Sequence, residues 1–387
     1  MKIRWNFRCY PTKEQEDILA HTFGCTRFVY NRFLHERTAA YKDGHPMNYV
    51  TSSRELTQLK RDPDYAWLND VASVPLQQSL RQLQTAFKNF FNKRTGYPKF
   101  KKKQGTQSAE YTRSGFRFET GNQRLLIAKI GRLKVKWSRV VPIEPTTVNI
   151  IRKPSGKYFV SMVVDITPAL LPEIGKCVGI DFGIRRLATT SDGEYIGNPK
   201  YSRKYARKLA KAQKAFARTQ KGSNRRKRTA QKIAKIHEKI TNCRSDHQNK
   251  FAWQMFNKYD IVFVEDLNVR GMLKNHKLAF SVSDTSISQY IRTLEQKAAM
   301  HGKQIVKIDR WFPSTKMCSQ CATIHDMSLG KEWMICNCGN MMDRDYNAAL
   351  NILAVGQTES LNVRGDDVRA AQSLRLESRL SVKRKPS

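Results

Sequence analysis

The sequence predicts a multidomain α+β protein with an N-terminal helical region, a small β-rich unit and a C-terminal α/β domain. Residues 11–107 carry apolar and aromatic side chains at helical spacing. Residues 108–172 contain short alternating runs separated by glycine-containing turns, a pattern typical of strands. Residues 173–358 combine near-continuous apolar runs, amphipathic segments and a cluster of four cysteines. A chain of 387 residues is long enough for two or three such domains.

Residues 1–10 alternate apolar and basic side chains, which predicts a half-buried strand with a basic outer face. Because a single strand needs partners, we place it in the same small barrel or sheet as residues 108–172. Thr12 is the candidate N-cap of a helix over residues 13–45, which we expect to be interrupted near Gly24.

Residues 51–95 predict two further helices with apolar inner faces. A basic loop follows over residues 93–105, with Tyr97 and Phe100 interleaved among lysines and arginines. Basic charge combined with aromatic rings suits contact with a nucleic-acid backbone together with base stacking.

A predicted buried strand ends at Asp181, and an apolar run returns over residues 187–189 after Gly183. A carboxylate inside such a hairpin core costs several kcal/mol unless something binds it. The alternative is an aspartate that makes a turn at a sheet edge, and this stretch alone does not decide between the two.

Two later stretches add acids in a similar position. A strand over residues 259–267 ends in Glu265, and an amphipathic helix begins with Asp343 and Asp345. Carboxylates gathered from separate elements are what hard cations such as Mg²⁺ need. Two metals held in this way activate water and stabilise the leaving oxygen in phosphodiester cleavage.

The charge balance points to a polyanionic partner. Lysine and arginine outnumber aspartate and glutamate by 70 to 33, and the formal charge is +37. Neutralisation of phosphates explains such a balance directly. A membrane surface is the alternative, but no apolar run reaches the length of about 18 residues that a membrane helix needs, and no signal-peptide pattern is present. We therefore expect a soluble, cytoplasmic protein without a membrane partner.

The most basic segment, residues 200–250, predicts a helical hairpin broken at Gly222 and Ser223. A run of charge is usually a solvated face, but the single sign favours a surface that faces nucleic acid. The candidate contacts are Arg225, Arg226 and Arg228.

Four of the eight cysteines cluster, and they are Cys318, Cys321, Cys336 and Cys338. Four thiolates suit one tetrahedral zinc ion in a structural knuckle, here over residues 314–342, and leave no open position for catalysis. Gly339 permits the sharp turn after the second pair. The alternative, a set of buried free thiols, is hard to sustain for cysteines at this spacing. Metal-driven folding of the knuckle would fix the chain that enters the helix of Asp345.

The chain resembles the TnpB family, insertion-sequence proteins formerly described as transposases and related to the type V CRISPR effectors. The resemblance covers nearly the whole sequence, through the segments FRCYPTKEQE, FGCTRFVYN, GYPKFKKK, GIDFGIRRLAT, VEDLNVRGM, WFPSTKMCSQC and DRDYNAALNI. One departure is Ala322, where family members often have glycine after the second knuckle cysteine.

The resemblance implies a helical recognition domain over residues 11–107 and a β-barrel (wedge) domain formed by residues 1–10 and 108–172. It further implies a RuvC/RNase H-like nuclease domain over residues 173–358 with the inserted zinc knuckle. Residues 359–387 are expected to form a flexible basic tail.

The same resemblance implies an RNA-guided DNA endonuclease of a transposable element. A guide RNA from the element's end pairs with the target strand, and the protein reads a short motif beside the target in double-stranded DNA. The expected species is a monomer in its RNA complex, in a prokaryotic cytoplasm and associated with the nucleoid.

Site residues follow by motif. Asp181, Glu265 and Asp345 correspond to the catalytic carboxylates that hold two Mg²⁺ ions. Asp343 is expected either to cap the helix or to support the metal ligands without binding the metal itself. Tyr49, Ser53 and Gln77 fall where family members face the target-adjacent motif.

Two other functions compete with the nuclease interpretation. A nuclease-inactive, RNA-guided DNA-binding repressor would have lost its acids, but all three are present. A transposition accessory protein is the other. A strand transferase does not fit, because the acids of those enzymes follow a different order.

Overall fold

A computed structural model describes residues 1–328 and 330–364, and the chain divides into two compact units. Unit one comprises residues 1–167 and 219–235, and unit two comprises the remainder. The last helix continues through Arg364, so the first residues of the predicted tail are helical. The rest of that tail lies outside the described residues.

The helices of unit one are α1 (Lys13–Lys42), α2 (Tyr49–Leu59) and α3 (Ser73–Phe91), with a 3-10 helix at Pro63–Asn69. Thr12 caps α1 in a reciprocal capping box with Gln15, which confirms the predicted cap. The predicted interruption at Gly24 is wrong, because α1 is continuous there. Its neighbours Phe23 and Cys25 are both buried, and their packing outweighs the cost of about 1 kcal/mol for a helical glycine.

The strands of unit one are β1 (Lys2–Cys9), β2 (Gln107–Thr112), β3 (Phe116–Glu119), β4 (Arg124–Ile127), β5 (Gly131–Arg132), β6 (Val135–Lys136), β7 (Thr147–Arg152) and β8 (Tyr158–Asp165). They form a five-stranded sheet in the order β2-β7-β8-β1-β6 and a three-stranded sheet in the order β3-β4-β5.

The N-terminal strand β1 belongs to this β-rich segment, as the sequence predicts. It pairs antiparallel with β8 along its whole length, from Lys2 opposite Asp165 to Cys9 opposite Tyr158. Side chains from both sheets, among them those of Phe7 and Phe118, share one core. Of the two predicted forms, barrel or sheet, the described pairing gives two sheets over a common core, with β2 and β6 at the edges of the larger one.

Unit two is built on a five-stranded mixed sheet in the order β11-β10-β9-β12-β13. Its strands are β9 (Cys177–Phe182), β10 (Arg186–Thr190), β11 (Tyr195–Gly197), β12 (Ile261–Glu265) and β13 (Gln304–Ile308). Strands β9, β10 and β11 form an antiparallel meander, and β12 and β13 continue the sheet parallel to β9. A separate hairpin consists of β14 (Trp333–Ile335) and β15 (Met341–Asp343).

The remaining helices are α4 (Tyr201–Ala217), α5 (Asn224–Phe256), α6 (Val269–Met272), α7 (Ala279–Thr285), α8 (Ile287–His301) and α9 (Arg344–Arg364). The break between α4 and α5 includes Gly222 and Ser223, as predicted. Residues from α5, α8 and the sheet form the main core of unit two. Across the described part of the chain, every helix is either too short or too polar to cross a bilayer.

Candidate active site and metal centre

Three acids lie at the ends of three elements of unit two. Asp181 is in β9, Glu265 ends β12 and Asp345 is in the first turn of α9. Strands β9 and β12 are parallel neighbours, and Val264 pairs with Ile180. One residue further along each strand, Glu265 and Asp181 therefore occupy adjacent positions at the same edge of the sheet.

Helix α9 packs directly against β9 at Gly179. A β-carbon added at Gly179 would lie 2.3 Å from the carbonyl oxygen of Ala349 and 2.6 Å from the amide nitrogen of Leu353. At Gly356 of α9, a β-carbon would similarly overlap a phenylalanine ring of β12. Glycine is therefore required at both positions, and the close approach sets α9, with Asp345 in its first turn, on the strands of the other two acids.

The three carboxylates interact electrostatically. Burial, followed by the negative charges of Glu265 and Asp345, raises the pKa of Asp181 well above its ordinary value. Burial likewise raises the pKa of Glu265 and of Asp345. A cation placed between these oxygens would offset the repulsion, and an all-oxygen donor set suits a hard divalent ion. The three carboxylates are neighbours, but their oxygens do not form a compact ligand set in this structure. Among the described residues, the group of potential metal ligands that does so is the four cysteines.

Asp343 and Asp345 have different surroundings. Asp343 Oδ1 accepts hydrogen bonds from the backbone N–H groups of Asp345 and Tyr346, at 3.0 and 3.2 Å. Its Oδ2 accepts a hydrogen bond from Arg186 Nη1 at 2.8 Å. Asp343 therefore caps α9. Asp345 Oδ2 lies further from the same arginine, at 3.9 Å, and its charge acts on Asp181.

Sequence reasoning did not single out Ser314. Its hydroxyl donates a hydrogen bond to the Glu265 carboxylate, and this bond lowers the pKa of Glu265 against the larger effect of burial. Ser314 is buried, and Asn351 Nδ2 of α9 donates to its carbonyl oxygen at 2.8 Å. The sequence gives no indication of this contact, because Ser314 and Glu265 are 49 residues apart and neither residue type is unusual for its segment.

Arg186 is a second residue that sequence reasoning missed. It lies in the segment GIRRLAT, and its charged group sits 4.2 Å from the ring centroid of Tyr195. The arginine therefore places a positive charge beside Asp343 and Asp345, and this charge opposes the rise in the pKa of Asp345.

The sulfur atoms of the four clustered cysteines lie within 4.8 Å of one another, which brings together all the predicted ligands Cys318, Cys321, Cys336 and Cys338. The Sγ atoms of Cys318 and Cys338 are 3.7 Å apart, and those of Cys321 and Cys336 are 3.4 Å apart. Two of the four side chains are buried and two are exposed. The cluster can hold a metal ion, and a four-sulfur donor set is typical of structural zinc.

Two tight turns shape this cluster. Gly339 has a φ of +87°, so the predicted turn after the second pair does use the conformational freedom of glycine. Ala322 has a φ of +62°, in the left-handed region where a non-glycine residue costs about 1–2 kcal/mol.

Asn340 Nδ2 donates to Cys318 Sγ at 3.1 Å. A hydrogen bond with Thr323 lowers the pKa of the Cys321 thiol to about 6.

Two asparagines connect the cysteine cluster with α9. Asn347 and Asn351 are one turn apart on α9, and both are fully buried. Each donates a hydrogen bond to the carbonyl oxygen of Met317 at 2.7 Å, and Asn347 Oδ1 accepts the N–H of Ser319 at 2.9 Å. Cys318 lies between Met317 and Ser319 in the chain. These hydrogen bonds therefore fix the first cysteine pair to the helix that carries Asp345.

Models of three families match this chain. A model described as a probable transposase matches residues 161–276, a helix-turn-helix domain matches 1–45, and a Cas12f1-like TNB domain matches 288–352. A Streptomyces pristinaespiralis protein named "Putative RNA-guided DNA endonuclease" is 44% identical over 393 residues, which cover 100% of this chain and 96% of that protein. The chain belongs to the TnpB family.

This TnpB-family chain is also 28% identical over 372 residues to InsQ of Escherichia coli (strain K12), with 91% of this chain and 92% of that protein covered. InsQ carries the same description as the Streptomyces protein. A cryo-EM structure of a Cas12f1–sgRNA–target DNA complex matches with a TM-score of 0.60 at 14% identity, over 91% of this chain and 98% of that chain. At this identity the similarity shows a shared fold.

The three residues predicted to face the target-adjacent motif lie on α2 and α3. Ser53 and Gln77 line one cavity of about 240 Å³. Tyr49, one turn before Ser53, accepts a hydrogen bond from Arg81 Nε at 3.3 Å. The guanidinium carbon of Arg81 also lies 5.1 Å from the centroid of the Tyr49 ring. The TnpB fold thus brings the three residues onto facing sides of two helices, and their contact with DNA stays a prediction.

The three arginines predicted to contact nucleic acid begin α5. Arg225 and Arg228 are exposed. Arg226 instead donates from Nη1 to the carbonyl oxygen of Thr219 at 2.9 Å, and its N–H donates to Ser223 Oγ at 3.1 Å. Arg226 therefore also stabilises the turn between α4 and α5.

Proposed function

We propose that this protein is an RNA-guided DNA endonuclease, encoded by a transposable element, that cleaves DNA beside a short target-adjacent motif. The observation that carries the proposal is the placement of Asp181 and Glu265 on adjacent parallel strands, with Asp345 in the first turn of the helix that packs on them. A full-length relative at 44% identity with the corresponding name supports it.

Asp181, Glu265 and Asp345 would hold two Mg²⁺ ions in a RuvC-type centre. Such ions, when bound, activate water and stabilise the departing 3′-oxygen. The chain's own residues prepare the site. Ser314 orients the Glu265 carboxylate, and Asp343 caps the helix that presents Asp345.

The four cysteines would bind one structural Zn²⁺. All four ligand positions come from protein, so none is left for a substrate. The buried asparagines of α9 support a role in positioning, because they join the knuckle to the helix of Asp345.

The partners would be a guide RNA from the element's end and double-stranded target DNA, bound by a monomer. The formal charge of +37 supports polyanion binding. The loop over residues 93–105 and the α4–α5 hairpin are the expected RNA contacts. Tyr49, Ser53 and Gln77 are the expected contacts with the target-adjacent motif.

The test measures binding and cleavage side by side, with the RNA that copurifies with the protein, a matching DNA duplex and Mg²⁺. We expect Asp181→Ala, Glu265→Ala and Asp345→Ala each to abolish cleavage while DNA binding stays within a few-fold. Asp343→Ala is the matched control and should retain much of the activity. Binding without cleavage by the wild type would favour a guided repressor, and failure of both would favour a transposition accessory protein.

A further inference from the structure

A cavity of about 630 Å³ opens in unit one, between the end of α1, the start of α2 and the end of α3. Its size falls within the range of about 300–1,000 Å³ typical of small-ligand sites and has room for a nucleotide. It lies apart from the smaller cavity of Ser53 and Gln77. Of the residues that line it, Tyr97 belongs to the loop over residues 93–105 that is expected to contact RNA, and the others have no role in the functions assigned above.

Aromatic rings form much of the cavity wall. Phe87 and Phe91 are one turn apart on α3, with centroids 6.4 Å apart and ring planes at 23°. Tyr97 meets Phe87 edge-on at 5.8 Å, and its hydroxyl is held by Thr38 Oγ1 at 2.7 Å. Phe91 is nevertheless 63% exposed, so much of its ring is accessible to a ligand.

A buried guanidinium also lines the cavity. Arg37 is only 4% exposed, and it donates from Nε to Ser52 Oγ and from Nη1 to Gln84 Oε1, at 2.9 and 2.8 Å. Its Nη2 is buried and has no hydrogen-bond partner among the described residues. A buried donor left without an acceptor is destabilising, and a ligand whose carbonyl oxygen reached Nη2 would supply the missing acceptor.

We propose that this cavity binds an unpaired, carbonyl-bearing nucleobase of the guide RNA, stacked on Phe91 with its carbonyl oxygen directed toward Arg37. This proposal rests on the RNA-guided function proposed above. Stacking on an aromatic ring and a hydrogen bond from arginine are the two usual means of holding a splayed-out base.

The charge of the surroundings favours a nucleotide over an apolar protein segment. Lys88 lines the cavity, no acidic side chain does so within the described residues, and Lys93 and Arg94 follow α3 directly. These lysines and the arginine would neutralise the phosphates on either side of the bound base. RNA fits better than duplex DNA, because bulges and loops of a folded RNA present unstacked bases whereas a duplex keeps its bases paired.

The experiment uses the full chain freed of RNA at high salt and a ten-nucleotide oligo(U) carrying 4-thiouridine. After irradiation, cross-linked peptides are identified by mass spectrometry. We expect cross-links within residues 84–97, and Phe91→Ala should reduce their yield and the affinity contributed by this site about tenfold. The salt dependence should keep its slope, because the phenylalanine ring that is removed carries no charge. Leu273→Ala, at an exposed apolar position outside the cavity and outside the expected RNA contacts, is the control and should change neither quantity.

The arginine is tested separately. Arg37→Lys keeps the positive charge but lacks the Nη2 donor, so we expect it to reduce the preference for oligo(U) over oligo(A) while Phe91→Ala weakens both. If Arg37→Lys does not fold, as judged by circular dichroism, the cross-linking of Phe91→Ala still tests the proposal, because Phe91 is exposed and its replacement should not disturb folding.

Three results would overturn the proposal. They are an unchanged cross-link yield in Phe91→Ala, stronger cross-linking by the 4-thiothymidine oligo(dT) analogue, and a dimer of the RNA-free protein that Phe91→Ala dissociates. Cleavage of target DNA is measured on the same preparations. Loss of the cavity cross-link with normal cleavage refutes the cavity alone. A wild type that cross-links there but never cleaves refutes the nuclease alone.

Discussion

The Ser314 hydroxyl donates a hydrogen bond to the Glu265 carboxylate at the start of the cysteine-rich knuckle. The carbonyl oxygen of the same serine accepts a hydrogen bond from Asn351 of α9. One buried residue thereby joins strand β12, the knuckle and the helix that carries Asp345. The position of Glu265 in the site is consequently set in part by the first residue of the knuckle.

We expect Ser314→Ala to shift the acidic limb of the pH–cleavage profile to higher pH. Loss of the hydrogen bond removes the influence that lowers the pKa of Glu265, so the carboxyl stays protonated to a higher pH and binds Mg²⁺ more weakly. A hydrogen bond to a charged group contributes about 1.5–3 kcal/mol, so cleavage at neutral pH and limiting Mg²⁺ should fall about tenfold or more. Ser314→Thr, which keeps the hydroxyl, should restore the profile. An unchanged profile in Ser314→Ala would show that the serine has no part in positioning Glu265.

Asp181→Asn should stabilise the metal-free protein while abolishing cleavage. Folding raises the pKa of Asp181, so the native state binds this proton more tightly than the unfolded state. The contribution of Asp181 to stability therefore falls as the pH rises from its ordinary pKa through the raised one. At neutral pH the asparagine removes this penalty, and we expect the free energy of unfolding to rise.

The measurement is denaturant unfolding with and without Mg²⁺. The wild type should be stabilised by Mg²⁺ more than Asp181→Asn is, because the ion binds the native carboxylates. Equal stability of the two proteins without metal between pH 5 and pH 8 would mean that Asp181 is not in a repulsive site.

Gly179→Ala should displace α9 from the sheet. The added methyl would overlap backbone atoms of Ala349 and Leu353, which cannot rotate away as a side chain can. Overpacking of this kind costs about 1–3 kcal/mol, and a misplacement of Asp345 by about 1 Å can reduce the rate about 100-fold. Gly197→Ala, where the methyl would enter open space, is the matched control. Thermal unfolding and cleavage rates are the measurements, and equal values for the two variants would contradict the close approach.

The strands that carry the acids could be predicted from sequence, because each is an apolar run that stops at a carboxylate. The grouping of the four cysteines could be predicted, because two close pairs in a short segment suit the four ligand positions of one metal ion. The contacts of Ser314, Arg186 and Asn351 could not, since each joins segments that are distant in the chain through common side chains. The continuity of α1 at Gly24 was also missed, because local propensity does not include the packing of its neighbours.

The different roles of Asp343 and Asp345 could be predicted from the sequence only in part. Their positions in the sequence do not separate them, and the motif resemblance favoured Asp345 as the catalytic acid. The hydrogen bonds of Asp343 with the α9 backbone and Arg186 now supply a physical reason, because its oxygens already have protein donors. The catalytic assignment itself stays a prediction until the two alanine variants are compared.

The cysteine cluster should carry about one zinc per chain by elemental analysis. Cys336→Ser should lower the melting temperature and cleavage together, because Asn347 and Asn351 couple the knuckle to α9. Cys243→Ser, which alters a cysteine outside the cluster, is the control and should keep its zinc. Well-folded wild-type protein without zinc would refute the metal assignment.

Arg225 and Arg228 should contact RNA phosphates, whereas Arg226 has a structural role as well. We expect Arg225→Glu combined with Arg228→Glu to weaken RNA binding and to flatten the slope of log affinity against log salt by roughly two units, one for each phosphate that is no longer neutralised. Arg226 is left unchanged, because its hydrogen bonds with Thr219 and Ser223 stabilise the turn, and reversing its charge would confuse unfolding with weaker binding.

The matched control for this pair is Lys274→Glu combined with Lys277→Glu, two exposed lysines with the same spacing outside the hairpin. Both double variants make the same change in net charge, so a general loss of attraction should affect them alike. A flattened slope in the arginine pair alone would place RNA phosphates at the start of α5. Equal slopes in the two variants would mean that the hairpin adds only diffuse charge, and the RNA contacts would then have to come from the loop over residues 93–105 or from the β-rich part of unit one.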